Sequence, residues 1–364
     1  MKIYYSLGFY IDPKTGRGSG SANKIKCLSN LCDEFHWSSY HLRRDKRYFS
    51  TKALNMFLQL LRDIYVLLVS GRRIDVVIIR DNMLFPIWLA HLRRIMVCSE
   101  VHAVPWEEIG KSGMKRAFAA LYRRRYIAIL KASDLLIFNN SLLANYYQSA
   151  EQVNRPHYVS YNGGTFSARS RPWRGTHASQ HLKFVYAGNI YPWHGLELLL
   201  PIVSTLSEKL DMAFFLVGDT GTSYASEVQD KFRDIKMCTV VKESSKDVIT
   251  DYIRKADYCF LPTTDTRSSP GNPIKLFDYL AEGKRVITQK QCPGYSDIIE
   301  SVEAGILVNF HQPEEAAREI LASNLSHSTP QIEQKIMEAC KNRHSWERRM
   351  IDWIDFFKNQ RARA

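Results

Sequence analysis

Apolar residues in the first half of the chain fall into short continuous blocks separated by stretches with helical spacing. Lys2 to Tyr10, Ile74 to Ile79, Met96 to Val101 and Leu135 to Phe138 read as strands, with helices after Gly20 and from Phe85. A second set follows the same rhythm. Lys183 to Ala187, Ala213 to Val217, Tyr258 to Leu261, Arg285 to Thr288 and Gly305 to Val308 read as strands, with helices from Gly195, Ser245, Ile274, Tyr295 and Pro313. Such alternation predicts parallel sheets covered by helices, hence two α/β, Rossmann-like, doubly wound lobes facing a central cleft. Ser345 to Lys358 carries Trp346, Met350, Trp353, Ile354 and Phe357 at helical spacing, a broad apolar face that needs something to pack on. Ser167 to Gln180, rich in Ser, Arg, Pro and Gly, has linker composition. The expected organisation is one lobe over 1–172, a second over 173–340, and a C-terminal helix over 341–364 that packs back on the lobes.

A length of 364 residues suits two ordinary domains. The longest apolar runs are far short of the roughly 20 residues of a membrane-spanning helix. Lys2 to Tyr10 enters a strand pattern at once with no secretory leader, so the chain is expected to be cytoplasmic. Its seven cysteines are scattered without metal-ligand spacing, which fits reduced thiols and argues against a zinc site. A formal net charge of +13 points to a polyanionic partner: nucleic acid, an anionic membrane surface or a phosphorylated ligand.

Candidate chemistry sits where strands give way to helices. Lys14 to Ser21 brings Gly16, Gly18, Ser19 and Gly20 between a strand and a helix, where glycines let backbone approach a phosphate. The spacing is not that of a dinucleotide-binding loop, and an ordinary surface loop fits as well. His102 closes a predicted strand; a lone histidine is more often structural, but an imidazole there can bond a sugar hydroxyl. Glu107 and Glu108 read as helix-start or solvated carboxylates. Gly188, Asn189, His194 and Gly195 bracket a loop able to hold a diphosphate against a helix start, and Gly218 with Asp219 ends the next strand. Pro270 to Lys284 places Lys275 and Asp278 one helical turn apart, beside Leu276. A cation there suits phosphate and a carboxylate suits ribose hydroxyls, whereas the pair standing alone would be an ordinary surface ion pair.

From Gly188 to Gly305 the order strand-Gly-x-x-Pro-x-x-Gly, Val-Gly-Asp, Ala-Asp-Tyr and Pro-x-Lys-Leu-Phe-Asp-Tyr-Leu-Ala-x-Gly-Lys-x-Val-Ile resembles the donor lobe of the retaining GT-B glycosyltransferases of family 4 (group 1). That family includes bacterial polysaccharide and lipopolysaccharide glycosyltransferases. Val101-His102, Ala132-Ser133-Asp134 and Tyr161-Asn162-Gly163-Gly164 resemble its first lobe in the same order. The resemblance implies transfer of a sugar from a nucleotide diphosphate sugar to a glycan or lipid-linked acceptor, with retention and without metal or cofactor. It makes the first lobe the acceptor side and the second the donor side. It makes Asp278 the carboxylate on the donor ribose, His102 the histidine near the transferred sugar, and Gly18 to Gly20 the loop facing the donor phosphates. Two departures stand out: Pro270 occupies the place of a first carboxylate, and Asn189 and His194 replace the usual cation pair, leaving phosphate neutralisation to Lys275, Arg17 or helix termini.

A nucleotide-sugar epimerase of the same fold would bind the same donor and need no acceptor. A nucleic-acid-binding protein would need aromatics interleaved with basic residues on a groove, whereas Lys115 to Arg125 reads as one helix face, so no nucleic-acid partner is expected. In Lys111 to Lys131, Met114, Phe118, Leu121, Ala128 and Ile129 share a helical face, with Lys115, Arg116, Arg123 and Arg124 around the rest and Arg125 near it. Such a helix usually packs on its own domain. It can also present a cationic rim, Arg123 to Arg125, to anionic lipid, which predicts peripheral, salt-sensitive attachment to the inner face of a membrane.

Overall fold

The computed structural model describes residues 1–12, 16–40, 48–68, 73–108, 113–166, 181–243, 245–264 and 273–363. They form two compact units, Met1–Asn162 with Trp346–Ala364, and Gly163–Ser345. The division thus falls between Asn162 and Gly163 rather than at 172/173, and the linker assigned to 167–180 lies outside the described residues.

The first unit runs β1 (Lys2–Leu7), α1 (Gly16–Leu31), β2 (Glu34–Ser38), α2 (Tyr48–Leu68), β3 (Val76–Arg80), α3 (Ile87–Leu92), β4 (Met96–Val101), α4 (Gly113–Ala132), β5 (Leu135–Phe138), α5 (Ser141–Ser149) and β6 (His157–Val159). The strands form one parallel sheet in the order β2-β1-β3-β4-β5-β6. Successive residues of a strand point to opposite faces, and both faces here are covered. Ile3, Tyr5, Val76, Ile78 and Cys98 meet Leu28 of α1 on one face, while Tyr4, Val77, Ile79 and Val97 meet Leu67 of α2, Leu89 of α3 and Ile129 of α4 on the other.

The second unit runs β7 (Leu182–Ala187), α6 (Leu196–Lys209), β8 (Met212–Val217), α7 (Ser223–Arg233), β9 (Cys238–Val241), α8 (Lys246–Lys255), β10 (Tyr258–Leu261), α9 (Ile274–Ala281), β11 (Arg285–Gln289), α10 (Ser296–Val302), β12 (Gly305–Val308), α11 (Pro313–Ala322) and α12 (Pro330–His344). Its sheet is also parallel, in the order β12-β11-β10-β7-β8-β9. α13 (Trp346–Arg361) then belongs to the first unit, where Met350, Trp353 and Phe357 join the α1 face of the sheet. The expected helix over 341–364 is therefore two: residues 341–344 end α12, and α13 begins at Trp346. Trp353 is anchored by its indole N–H, which donates to Ser160 Oγ at 2.7 Å.

Two of the motifs that match in order prove to be structural. Asp134 and Asp257 each precede a strand and accept from the backbone N–H of a neighbouring strand, Val97 at 2.8 Å and Lys183 at 2.9 Å, as Asp75 does from Lys2 at 2.9 Å. These carboxylates pin strand register at the amino ends of the sheets, away from the end where ligands collect. A further difference concerns Gly18 to Gly20. They lie in the first turns of α1, which starts at Gly16, instead of in a loop before it. Gly18 is buried, and a Cβ there would overlap the Asp12 carbonyl, so the preceding chain runs too close for any other residue.

Candidate functional site

In the second unit the chain leaves β7 towards β8 on one side, and β10 lies on the other, so the strand order reverses between β7 and β10. Loops leaving such a pair separate and open a crevice at the carboxyl ends. Two glycines shape it. Gly195 has φ +68°, and a Cβ there would lie 3.1 Å from the Thr263 carbonyl carbon, so the loops after β7 and β10 touch at this point. Gly218, at φ +142°, ends β8 where a Cβ would overlap the carbonyl of Gly188.

Lys275 spans the reversal. It stands in the first turn of α9, which no side chain caps among the described residues, and it reaches back to the β7 loop. Its ammonium donates to Tyr186 Oη at 2.5 Å and to the Asn189 carbonyl at 3.3 Å, with the Tyr186 ring centre 4.4 Å away. The Asn189 carbonyl also accepts from Tyr186 Oη and His194 Nδ1, both at 2.7 Å. An ammonium has three protons, and two partners among the described residues leave one for a ligand. Burial pulls Lys275 down to about 7, with Asp278 acting weakly the other way. One turn further along, Tyr279 clasps Ala187, accepting from its N–H at 2.9 Å and donating to its carbonyl at 3.0 Å, which fixes α9 against the end of β7.

The structure thus gathers Gly188, Asn189, His194, Gly218 and Lys275 around one point, but not every candidate. Asp278, one turn beyond Lys275 on α9, is exposed and has no hydrogen bond or ion pair among the described residues. Surrounding protein pushes its carboxyl up through desolvation, but the solvent that reaches it limits that push. Leu276 is a core residue whose N–H is taken by the Pro273 carbonyl at 3.3 Å. Asp219 turns into its own loop and accepts from Gly221 N–H at 2.9 Å. Pro270 lies outside the described residues. The sequence motifs singled out neither Tyr186 nor Tyr279; the signal available was the place of Tyr279 four residues beyond Lys275, on the same helical face.

In the first unit His102 follows β4 within a buried polar cluster. Its Nε2 bonds Glu100, which also accepts from Lys24 and Tyr5, and Lys24 lies 3.4 Å from the imidazole. Arg80 stands 3.9 Å from Glu100 and donates to Ser21 Oγ at 2.9 Å, while its Nε has no hydrogen-bond partner among the described residues. Burial alone would raise Glu100, but Lys24, His102 and Arg80 outweigh it and hold the carboxyl well below its usual range. Burial, with the charge of Arg80, lowers His102 to about 4, so its imidazole is neutral. An ionised Glu100 then requires the proton on Nε2 and leaves Nδ1 as an acceptor. Glu100 was legible as a partner only through the i, i+2 alternation that puts it on the same strand face as His102.

The expected cationic rim of α4 is partly committed. Arg123 forks onto Glu151, Nε to Oε1 at 2.9 Å and Nη2 to Oε2 at 2.9 Å, and Arg125 donates to the Met83 carbonyl at 3.1 Å. Arg124 is exposed. The apolar face is also revised: Tyr126, Ile129 and Leu130 are buried, whereas Phe118 and Leu121 face solvent. No group of three His, Cys, Asp or Glu side chains able to hold a metal occurs among the described residues.

Residues 181–323, most of the second unit, match the family described as glycosyl transferases group 1. No curated protein matches the chain by sequence. Among solved structures, sucrose-phosphate synthase from Thermosynechococcus elongatus is 14% identical over 100% of both chains, with a TM-score of 0.69. HepE from Anabaena in complex with UDP is 14% identical over 99% of this chain and 100% of that one, also at 0.69. The lipopolysaccharide outer core galactosyltransferase WaaB, in its apo form, is 13% identical over 99% and 100%, at 0.68. At such identities the likeness is one of fold, and the two helix-flanked parallel sheets are the GT-B fold.

Proposed function

We propose that the chain is a glycosyltransferase that moves a sugar from a nucleotide diphosphate sugar onto a glycan or lipid-linked acceptor. The observation that carries this reading is Lys275, a cation held at the strand-order reversal inside the segment that matches the glycosyl transferase family. HepE, of the same fold, was solved with UDP. Departure of a nucleoside diphosphate builds negative charge on phosphate oxygens. A fixed ammonium beside the positive end of α9 stabilises that charge where it develops.

Retention of configuration without a metal is part of the reading, on the resemblance to family 4. In that reading Asp278 holds the donor ribose and His102 acts near the transferred sugar. Thermal unfolding with a panel of nucleotide sugars tests the first step, since a ligand that binds only the folded chain raises its apparent stability. At least one should stabilise the wild type, and Lys275→Met should reduce the effect at about pH 6. Stabilisation by none, or equal stabilisation of the variant, removes the assignment. Product anomers analysed by NMR, with and without a chelator, decide retention and metal dependence.

A further inference from the structure

α2 is amphipathic in the inverted sense. Its buried residues include Asn55, Gln59 and Asp63, four positions apart, and Gln59 and Asp63 bond Ser6, Ser38, Tyr4 and Asn82 beneath the helix. Its outer face carries Leu54, Phe57, Leu58, Leu61, Tyr65 and Leu68, each between 37% and 56% exposed. A helix meant for water turns its polar side outward. This one runs its apolar stripe outward over about 14 residues, roughly 20 Å of helix, so its outer face is matched to an apolar medium.

The neighbouring surface has the same character. α2, α3 and α4 cover one face of the first sheet, since Leu67, Leu89 and Ile129 share a core cluster. On their outer sides Trp88 and Leu92 of α3 and Phe118 and Leu121 of α4 are exposed. The three helices contain eight Lys or Arg, two in α2 and six in α4, and a single carboxylate, the buried Asp63. Arg73, Arg93 and Arg94, exposed after the ends of α2 and α3, add to them. Arg93 also caps α2 by donating to the Leu67 carbonyl at 2.8 Å.

We propose that α2 lies in the plane of a lipid surface and docks the first unit on anionic membrane. Charge decides the occupant. A second copy would bring the same cationic face against itself in a symmetric contact, whereas anionic headgroups complement the rim while acyl chains take up the stripe. Aromatic residues beside arginine suit that interface. No described helix is long and apolar enough to cross a membrane, so α2 lies flat. This places the contact on α2 rather than on the Arg123 to Arg125 rim, and it stands independently of the transfer reading.

Flotation with vesicles of phosphatidylcholine, with and without phosphatidylglycerol, tests the full chain. Binding should require phosphatidylglycerol, weaken as salt rises from about 0.1 M to about 1 M, and fall about tenfold in the variant Phe57→Ser, Leu61→Ser, Tyr65→Ser. Brominated acyl chains should quench tryptophan fluorescence in the wild type and less in Trp88→Phe, which leaves α2 intact. Equal binding to neutral and anionic vesicles, binding to neither, or quenching unchanged in Trp88→Phe overturns the proposal. So does a dimer that the triple variant dissolves in a chain that binds no vesicle, which reassigns the face to a second copy. Nucleotide sugars that stabilise the wild type and the triple variant alike keep the transfer reading, whatever the vesicles show.

Discussion

Lys275 and Tyr186 form one unit: the ammonium lies 2.5 Å from the phenol oxygen and 4.4 Å from the ring centre. The phenol O–H in turn donates to the Asn189 carbonyl at 2.7 Å, so the cation rests on two linked oxygens. Because burial pulls Lys275 down to about 7, the free protein loses this charge as pH rises through that value. Affinity for a nucleotide sugar, whose phosphates do not titrate there, should fall about tenfold between about pH 6 and about pH 8.5. Lys275→Met should be weaker at pH 6 by ~1.5–3 kcal/mol, the scale of a hydrogen bond to a charged group, and flat with pH. Calorimetric titration of both proteins checks this, and parallel profiles would separate the cation from donor binding.

Gly218 and Gly221 lie three residues apart with positive φ, +142° and +64°, yet only Gly218 lacks room for a Cβ. Gly218→Ala must push the Gly188 carbonyl away at the end of β7, adding overlap to backbone strain, and should destabilise the fold by ~3 kcal/mol. Gly221→Ala meets nothing within 4 Å and should cost only ~1 kcal/mol. Denaturant unfolding of the pair distinguishes a crowded strand end from ordinary turn geometry.

Parallel strands buried on both faces are legible as continuous apolar runs, which is why Val76–Arg80, Met96–Val101 and Tyr258–Leu261 could be read from sequence. Three of the four edge strands carry mixed residues, so Glu34–Ser38, His157–Val159 and Cys238–Val241 gave no such run, whereas the edge strand Gly305–Val308 did. α1 began earlier than its glycines foretold, because the approach of Asp12 to Gly18 depends on tertiary packing and not on local propensity. At the site, Lys275 could be found from its helix, but Asp278 could not be separated from it. One-turn spacing fixes neither the rotamer nor the exposure that distinguishes them.

Asp63 is fully buried, and burial raises it from 3.8 to about 6, an effect that hydrogen bonds from Tyr4, Ser6, Asn82 and Gln59 only partly offset. The folded chain therefore holds this proton more tightly than the unfolded one. Its contribution to stability is complete below about pH 4 and is lost as the pH rises to about 6. About two pKa units correspond to at most ~3 kcal/mol. Relative to Asp63→Asn, wild-type stability should decline by up to that amount between pH 4 and pH 6.5 or so, measured by chemical unfolding across the range. A constant difference would show that the carboxyl is not raised.

Glu100 ties His102 to Lys24, and each member depends on the others being charged as they are. Lys24→Met leaves a buried carboxylate that keeps the Tyr5 hydrogen bond but has Arg80 as its remaining neighbouring cation among the described residues, with His102 neutral, and should destabilise the fold by ~3 kcal/mol. Adding Glu100→Gln removes the unpaired charge as well, so the double variant should lose less than the sum of the singles. The same cluster sets His102. Burial, Arg80 and Lys24 hold its pKa near 4, while Glu100 opposes them. Activity should therefore show no inflection near pH 6.5 from this histidine, and removal of Lys24 should shift the acid limb upward. His102→Ala should lower turnover per folded molecule by more than it lowers nucleotide affinity, because the imidazole is assigned to the sugar rather than to the nucleotide. Turnover profiles of Lys24→Met and His102→Ala, each normalised to the folded fraction, decide the matter. Full activity in folded His102→Ala would make the histidine a structural partner of Glu100, and an unmoved acid limb in Lys24→Met would show that Lys24 does not control its charge.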